Sequence, residues 1–156
     1  MLQVTIRQGK KEDVPQIFEL IKELAVYERA EHEVENTVTQ LIEDGFGEKA
    51  LFGVVVAEVQ EKIVGMSLYY YRYSTWKGKR LYIEDIIVTE DFRGQGIGKQ
   101  LFEETIRIAK RENCTGLAWM VLDWNEPAIN FYLKYGAVMD REWVFVSLPK
   151  EVMDMF

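Results

Sequence analysis

Two adjacent carboxylates, Glu84 and Asp85, stand inside an otherwise apolar stretch that runs from Leu81 to Val88. The apolar and β-branched residues of this stretch predict a buried strand. Side chains of a regular strand alternate between its faces, so the carboxylates would point in opposite directions, and burying one without a partner is costly. In a structural interpretation, Asp85 meets a lysine or arginine and Glu84 lies at a solvated edge. In a chemical interpretation, at least one of them faces a wet cleft and accepts a proton, as from an ammonium group.

A glycine-rich turn, Arg93-Gly94-Gln95-Gly96-Ile97-Gly98, lies between a predicted strand and a predicted helix. Glycines let a backbone approach a ligand closely, and the start of a helix offers free N–H groups at the positive end of its dipole. Together these features suit an anion such as a pyrophosphate. The Walker pattern fails because Lys99 is followed by Gln100, and the glycine spacing of the dinucleotide fingerprint is not met. The structural alternative is a turn whose glycines serve close packing only.

A third segment, from Asp123 to Tyr132, contains an amide and a phenol that could take part in chemistry. Asn125 is placed to cap a helix that has Pro127 in its first turn. Helix capping and core packing explain both Asn125 and Tyr132 without any function. In a chemical interpretation, the Tyr132 hydroxyl donates a proton to a leaving group.

The elements that must position these residues predict one α/β domain over residues 1–156. Strands are predicted at Gln3–Arg7, Leu51–Val59, Ile63–Tyr73, Leu81–Val88, Leu117–Leu122 and Trp143–Leu148. Helices are predicted from Asp13, from Thr37 to about Gly45, from Ile97 through Ile108, and at Ala128–Tyr135. Short connections between the second, third and fourth strands indicate an antiparallel meander. The expected fold is therefore mixed α/β, with a mainly antiparallel sheet flanked by helices.

The composition of the chain limits the partners, the metal sites and the cellular location that we expect. The formal net charge of -7 disfavours nucleic acid as a partner and favours cations, including amines. The single cysteine, Cys114, excludes an intramolecular disulfide, and with the single histidine, His32, it cannot form a usual zinc site, so no metal is expected. No apolar run is long enough to span a bilayer, and the first residues lack the apolar core of a signal peptide. We therefore expect a cytoplasmic protein with no membrane partner.

Several segments, in order along nearly the whole chain, resemble the GNAT superfamily of N-acetyltransferases. The likeness is greatest to its diamine acetyltransferase branch, which includes polyamine and thialysine acetyltransferases. The Arg-x-x-Gly-x-Gly form of the glycine-rich turn is that of the family's coenzyme A loop. The other matching segments are Leu20-Ile21-Lys22-Glu23-Leu24-Ala25, Glu43-Asp44-Gly45-Phe46-Gly47, Tyr73-Ser74-Thr75-Trp76-Lys77-Gly78, Tyr82-Ile83-Glu84-Asp85 and Trp124-Asn125-Glu126-Pro127.

The resemblance implies direct acetyl transfer in a ternary complex, without an acetyl-enzyme. By analogy Glu84 removes the amine proton through water, and Tyr132 is the acid for the leaving thiolate. The residues implied at acetyl-coenzyme A are Ile86, Ile87, Val88, Arg93, Gly94, Gln95, Gly96, Ile97, Gly98, Lys99, Asn125 and Tyr132. Those implied at the amine are Tyr27, Glu28, Trp76, Glu84, Asp85 and Trp143. Members of this branch are homodimers, so a homodimer that binds a small cationic amine is expected.

The acceptor amine remains open between members of the branch. Polyamine acetyltransferases have an aspartate where this chain has Ser74, whereas thialysine acetyltransferases resemble the segment from Ser74 to Gly78 closely. Asn130-Phe131-Tyr132 is nearer to the polyamine enzymes. We favour thialysine or a lysine-like amine, with a polyamine acceptor as the alternative. A non-catalytic sensor of acyl-coenzyme A is the alternative of a different class.

Overall fold

The computed structural model describes residues 2–156, which form two compact units, one ending at Met120 and the other spanning Val121–Phe156. The strands are β1 (Thr5–Gln8), β2 (Gly53–Val59), β3 (Lys62–Ser74), β4 (Gly78–Val88) and β5 (Leu117–Ala118). The helices are α1 (Val14–Tyr27), α2 (Val38–Phe46), α3 (Ile97–Arg111), α4 (Glu126–Leu133) and α5 (Lys150–Met153). All five strands and the first three helices belong to the first unit.

The five strands form one sheet in the order β1-β2-β3-β4-β5. The first four strands pair antiparallel, and β5 pairs with β4 in parallel. A two-residue turn, Gln60-Glu61, joins β2 to β3, and both residues have positive φ, as in the hairpin turns that match strand twist. The predicted meander and the expected mixed, mainly antiparallel α/β fold are confirmed.

The core of the first unit lies between the sheet and two helices. On α1, Ile17 and Leu20 pack against a cluster that includes Met66 and Leu68 of β3. Neighbouring residues of β3 face the other side of the sheet, since the hydroxyl of Ser67 is hydrogen-bonded at 2.8 Å to that of Thr105 on α3. Helices α1 and α3 therefore cover opposite faces of the sheet. Helix α1 ends, and helix α3 begins, near the carboxyl end of β4.

The structure corrects two of the predicted strands. Residues 143–148, predicted as a strand, form no strand in the described chain, and Trp143 is 75% exposed. A run of apolar residues forms a strand only if a neighbouring strand supplies hydrogen bonds, and the described residues supply none here. The predicted strand Leu117–Leu122 is reduced to the two residues of β5. The single domain over 1–156 stays a prediction.

Helix boundaries follow the local signals in the sequence. Pro15 lies in the first turn of α1, and the Thr37 hydroxyl accepts a hydrogen bond from the Gln40 N–H at 3.1 Å at the start of α2. The sequence also suggests a capping box between Thr37 and Gln40, but the side-chain amide of Gln40 donates to Asp44 instead. Helix α4 starts at Glu126, two residues earlier than predicted, with Asn125 as its N-cap.

Candidate active site

The pair of carboxylates in β4 lies at a β-bulge. Leu68 of β3 is opposite Asp85, and the next residue, Tyr69, is opposite Ile83, so Glu84 has no residue opposite it. A bulge breaks the alternation of side chains and re-aims them. Glu84 is exposed and Asp85 is half-buried, while Ile83 stays in the core. The bulge therefore resolves the conflict that a regular strand would create at this pair.

A third carboxylate joins the pair from the end of α1. Glu28 caps this helix, and its pKa is raised by burial and then by the charge of Glu84. Burial, followed by the charges of Glu84 and Glu28, raises the pKa of Asp85 to about 7. We call these three residues the carboxylate cluster. Like charges held close together favour a bound cation, and the structural interpretation that pairs Asp85 with a lysine or arginine finds no such ion pair among the described residues.

Two tyrosines that are not among the predicted site residues lie beside Glu84. The rings of Tyr70 on β3 and Tyr82 on β4 have centroids 5.2 Å apart. Burial raises the pKa of both hydroxyls, and the charge of Glu84 is the next cause for each. The only signal in the sequence is the aromatic run around Tyr70, which a buried strand explains equally well. The pairing of β3 with β4 is what brings this run to Glu84.

The glycine-rich turn has the backbone of an anion site. Gly94 has φ 74° and Gly96 has φ 78°, conformations that side chains other than glycine rarely adopt. Among the described residues, nothing lies within 4 Å of a Cβ built on either glycine. The positive φ therefore favours glycine at both positions, and the space beside them is open. The interpretation that they serve close packing only does not hold for them.

The start of α3 is left without a side-chain cap. Gly96 is its N-cap residue and has no side chain that could accept from the first turn. By contrast α2 and α4 begin with side-chain caps, at Thr37 and Asn125. The amide groups of the first turn of α3 and its dipole thus point to the open space beside Gly94 and Gly96, as an anion requires.

The residues that lead into the turn can contribute their backbone groups to a ligand site. Pairing of β5 with β4 ends at Tyr82, so in the described chain no strand pairs with this edge of β4 from Ile83 to Val88. The backbone of Ile86 to Val88 can therefore bind an amide-rich ligand along an exposed edge. Ile87 and Ile97, only 6% and 1% exposed, are core residues and can contribute their backbone alone.

Side chains in and after the turn make local contacts. The Gln95 amide is 3.5 Å from the Asp91 carbonyl oxygen, and Lys99 lies 3.9 Å from Glu103 on the next turn of α3. Gly98, at a helical position, would place a Cβ 3.7 Å from Val88, an ordinary contact. The last of these distances indicates that Gly98 is needed less for conformation than Gly94 and Gly96 are.

Helix α1 reaches both the carboxylate cluster and the turn. The Arg93 guanidinium lies 5.3 Å from the centroid of the Tyr27 ring, within cation–π range. Glu28, the next residue after Tyr27, belongs to the carboxylate cluster. The structure therefore brings together Tyr27, Glu28, Glu84, Asp85 and the turn that begins at Arg93.

Other predicted residues lie elsewhere. Trp76 is at the tip of the β3–β4 hairpin and is 84% exposed. The tip is five residue pairs from Ile83, roughly 17 Å along the strand at the usual rise per residue. Ser74 forms the hairpin turn, where its hydroxyl accepts from the Lys77 N–H at 3.1 Å. The structure does not bring Trp76 to the carboxylate cluster of the same chain.

The remaining predicted residues belong to the second unit. Asn125 accepts a hydrogen bond from the Ala128 N–H at 3.4 Å, which confirms its capping role. Tyr132 lies on α4, where its ring is 5.4 Å from that of Phe131. Trp143 is exposed in the segment without secondary structure. The functional roles of these three residues stay predictions.

Comparison with known proteins decides the family. Residues 14–137 match the acetyltransferase (GNAT) family. The chain belongs to this family. It is 40% identical over 142 residues to thialysine N-epsilon-acetyltransferase from Bos taurus, a match that covers 86% of this chain and 84% of the bovine protein. It is 36% identical over 161 residues to the spermidine/spermine N(1)-acetyltransferase-like protein 1 of Homo sapiens, covering 96% of this chain and 23% of the human one.

Solved structures agree with this GNAT fold. An aminoglycoside N-acetyltransferase in complex with CoA superposes with a TM-score of 0.74 at 17% identity, over 95% of this chain and 96% of that chain. At this identity the likeness shows the fold alone. The chain is thus an acetyl-coenzyme A-dependent N-acetyltransferase by its family and its curated relatives.

The residues of this GNAT chain fit acetyl-coenzyme A as the co-substrate. The open space beside Gly94 and Gly96, which a Cβ would begin to fill, and the uncapped start of α3 suit its pyrophosphate. Among residues 2–156, no group of three or more histidine, cysteine, aspartate or glutamate side chains is arranged to hold a metal ion. None of the helices described has the length and apolar character needed to cross a membrane.

Proposed function

We propose that this enzyme acetylates the primary amine of a small lysine-like molecule such as thialysine, by direct attack in a ternary complex. The observation that carries the proposal is the position of the carboxylate cluster. Glu28, Glu84 and Asp85 form a negative region towards the carboxyl end of β4, and the glycine-rich turn begins at Arg93, five residues after β4 ends at Val88. A cationic amine is attracted to the first region and an anionic co-substrate to the second.

Proton removal is the task of Glu84. An ammonium group cannot attack an acyl group, and a lysine-type amine has a pKa near ~10.4, so it is almost wholly protonated at neutral pH. Glu84 is exposed at the bulge, where it accepts the ammonium proton through a water molecule. Asp85 and Glu28 hold the cation beside it. A thioether close to the amine withdraws electrons and lowers the amine pKa, which eases this step for thialysine.

Tyr132 is the acid in this proposal. Tyr132 gives its hydroxyl proton to the thiolate of coenzyme A, and Asn125 contacts the same co-substrate while it caps α4. Ile86, Ile87 and Val88 hold the pantetheine arm through their backbone. Arg93 to Lys99 surround the pyrophosphate. The resemblance also assigns Tyr27, Trp76 and Trp143 to the amine site, although Trp76 lies at the exposed hairpin tip, away from the carboxylate cluster of the same chain.

A polyamine is the second candidate, because three carboxylates exceed the need of one ammonium group and a relative is named for spermidine and spermine. Ser74 favours the lysine-like amine. Its hydroxyl closes the hairpin turn, and an aspartate oxygen at this position could accept the same hydrogen bond from the Lys77 N–H. Since the turn tolerates either residue, the absence of a carboxylate there bears on the substrate. A long polyamine loses a partner for its distant ammonium.

Turnover of acetyl-coenzyme A against thialysine, lysine, putrescine, spermidine and spermine tests the choice. We expect strong turnover of thialysine and little of spermidine, and a gain for spermidine in Ser74→Asp. A preference for spermidine in the unaltered enzyme would contradict the lysine-like acceptor. Failure with every amine, while coenzyme A still binds, would contradict the small-amine class altogether.

The proposal also has the enzyme act in the cytoplasm as a homodimer. The apolar segment from Trp143 to Leu148 is exposed, and large exposed apolar surfaces commonly mark protein–protein interfaces. This supports the proposal that a second copy of the chain covers it. Light scattering on the purified protein tests the assembly. A monomer at micromolar concentration would contradict it.

A further inference from the structure

Glu23, on the side of α1 that faces the end of β4, makes a set of contacts that the proposed function has not used. Its Oε2 accepts a hydrogen bond from the Thr89 hydroxyl at 2.7 Å, and its Oε1 accepts from the Glu90 N–H at 3.0 Å. Oε1 also lies 3.4 Å from an Nη of Arg93. One carboxylate thus binds two residues that follow β4, Thr89 and Glu90, and the first residue of the glycine-rich turn, Arg93.

Arg93 is held from three directions. Its Nε donates to the Val88 carbonyl oxygen at 2.8 Å, and its guanidinium meets both Glu23 and the ring of Tyr27. Glu23 and Tyr27 are four residues apart on α1, so they lie on one face of the helix and both contact the arginine. The guanidinium therefore bridges β4 and α1 at the point where the turn starts.

Thr89 is fixed in the same way. Its N–H donates to the Val64 carbonyl oxygen at 2.9 Å, which continues the sheet, while its hydroxyl binds Glu23. The chain between the last residue of β4 and Arg93 is consequently tied at its start, middle and end to either the sheet or α1. These contacts therefore fix the position of the backbone of the turn.

We propose that Glu23 is a positioning residue for acetyl-coenzyme A: it fixes Thr89, Glu90 and Arg93 and thereby sets the geometry of the glycine-rich turn. The inference rests on the proposed function, because it assumes that this turn binds the pyrophosphate. It assigns Arg93 a role in orienting the turn through Glu23, Tyr27 and Val88. It also joins the amine side of the site to the co-substrate side, since the helix that ends in Tyr27 and Glu28 holds the turn.

The test is a split between binding and turnover. In Glu23→Ala we expect the Kd of coenzyme A and the KM of acetyl-coenzyme A to rise about tenfold, the equivalent of one lost hydrogen bond to a charged group. We expect kcat and the KM of the amine to change by less than about threefold, because Glu28, Glu84 and Asp85 remain. Glu23→Gln, which keeps acceptor oxygen but not charge, should lie between.

Thr89 gives a conservative rescue. Thr89→Val removes the hydroxyl at nearly constant shape and should weaken coenzyme A binding about threefold, whereas Thr89→Ser should restore it. Added to Glu23→Ala, Thr89→Val should have little further effect, since both remove the same hydrogen bond. The matched control is Glu19→Ala, one turn earlier on α1, where the carboxylate pairs with Lys22 at the surface. It should leave coenzyme A binding unchanged.

Calorimetric titration with coenzyme A and thermal melting of each variant separate the outcomes. Glu23→Ala that melts earlier but binds coenzyme A as tightly as the unaltered enzyme would overturn the positioning role and leave only a structural one. Tighter binding in Glu23→Ala would also overturn it, since the carboxylate would then act by repelling phosphate. If the unaltered enzyme bound no coenzyme A, the proposed function itself would fail.

Discussion

The two ends of the candidate site differ in how they carry charge. At the amine end, three carboxylates at the end of α1 and on β4 carry the charge, and burial, followed by the charges of Glu84 and Glu28, raises the pKa of Asp85 to about 7. At the co-substrate end, the turn from Arg93 to Gly98 relies on backbone amides and the uncapped start of α3. Side-chain charges can be changed one at a time, whereas the amides of a turn depend on a shared backbone conformation.

The contrast predicts different consequences of mutation. Substitutions at the amine end should alter proton transfer, pH dependence and salt dependence. Substitutions at the co-substrate end should alter affinity through geometry, whatever their charge. Strand β4 connects the two ends, with the bulge at Glu84 and the exposed edge from Ile86 to Val88.

The largest effect is expected from Glu84→Gln. Removing a general base costs about 10²-fold or more in rate, so kcat should fall by that amount while the Kd of coenzyme A stays constant. The pH profile of kcat should change with it. Stopped-time assays of acetylated product measure this, and Glu12→Gln, on the exposed turn before α1, is the control. Full activity of Glu84→Gln would show that the amine arrives neutral and needs no base.

The next effect is expected from Gly96→Ala. A side chain at φ 78° costs about 1–2 kcal/mol, and its Cβ would enter the open space beside the turn. We expect the Kd of coenzyme A to rise at least about tenfold, as for a loss of ~1.4 kcal/mol, with little change in the KM of the amine.

Gly136→Ala is the matched control for this variant. Gly136, after α4, has the same φ of 78°, and nothing in the described chain lies within 4 Å of a Cβ built there. Thermal melting should show a similar loss of stability for both variants. Equal weakening of coenzyme A binding in the two would mean that strain, and not the location of the turn, determines affinity.

Asp85→Asn tests the pH dependence of the carboxylate cluster. The pKa of Asp85 is raised from 3.8 to about 7, so between these values the folded protein holds a proton that the unfolded chain has lost. Its contribution to stability therefore falls as the pH rises from about 4 to 7, and is lost above 7. Asp85→Asn should melt higher than the unaltered enzyme at pH 8, and this difference should shrink towards pH 4.

The same variant has a kinetic signature. At pH 8 the ionised Asp85 attracts the cationic amine, so Asp85→Asn should raise the KM of the amine there and have less effect at pH 6. Melting curves and KM values measured over this range, in buffers of constant ionic strength, check both expectations. A melting difference independent of pH would contradict the raised pKa.

Local features of the site could be predicted from the sequence, and features that depend on strand register could not. The conformations of Gly94 and Gly96 and the cap at Asn125 follow from neighbouring residues. The bulge at Glu84 depends on how β3 pairs with β4, which no local pattern encodes. Glu23 was missed as a functional residue because a glutamate on the polar side of a helix is indistinguishable from a solvated one.

The predicted strand from Trp143 to Leu148 shows the same limit in reverse. Its aromatic and β-branched residues suit a strand, yet such a run predicts only that a strand is possible. Hydrogen-bond partners come from elsewhere, and the described residues of this chain do not provide them. A pattern of side chains therefore predicts an element reliably when the element is held within itself, as a helix is, and less so when another strand must complete it.

The smallest effect is expected from Glu28→Gln. Glu28 is exposed at the end of α1, and charge interactions at such positions contribute up to about 1 kcal/mol. We expect the KM of the amine to rise about threefold at low salt and the difference to vanish at ~1 M salt, where the screening length falls to ~3 Å. Glu28 begins an acidic run that continues with Glu31, Glu33 and Glu35, and Glu31→Gln should have no effect if that run is merely solvated. An equal effect of both variants would instead mean that the whole acidic run attracts the amine. The proposal that the carboxylate cluster is the binding site for the amine would then be contradicted.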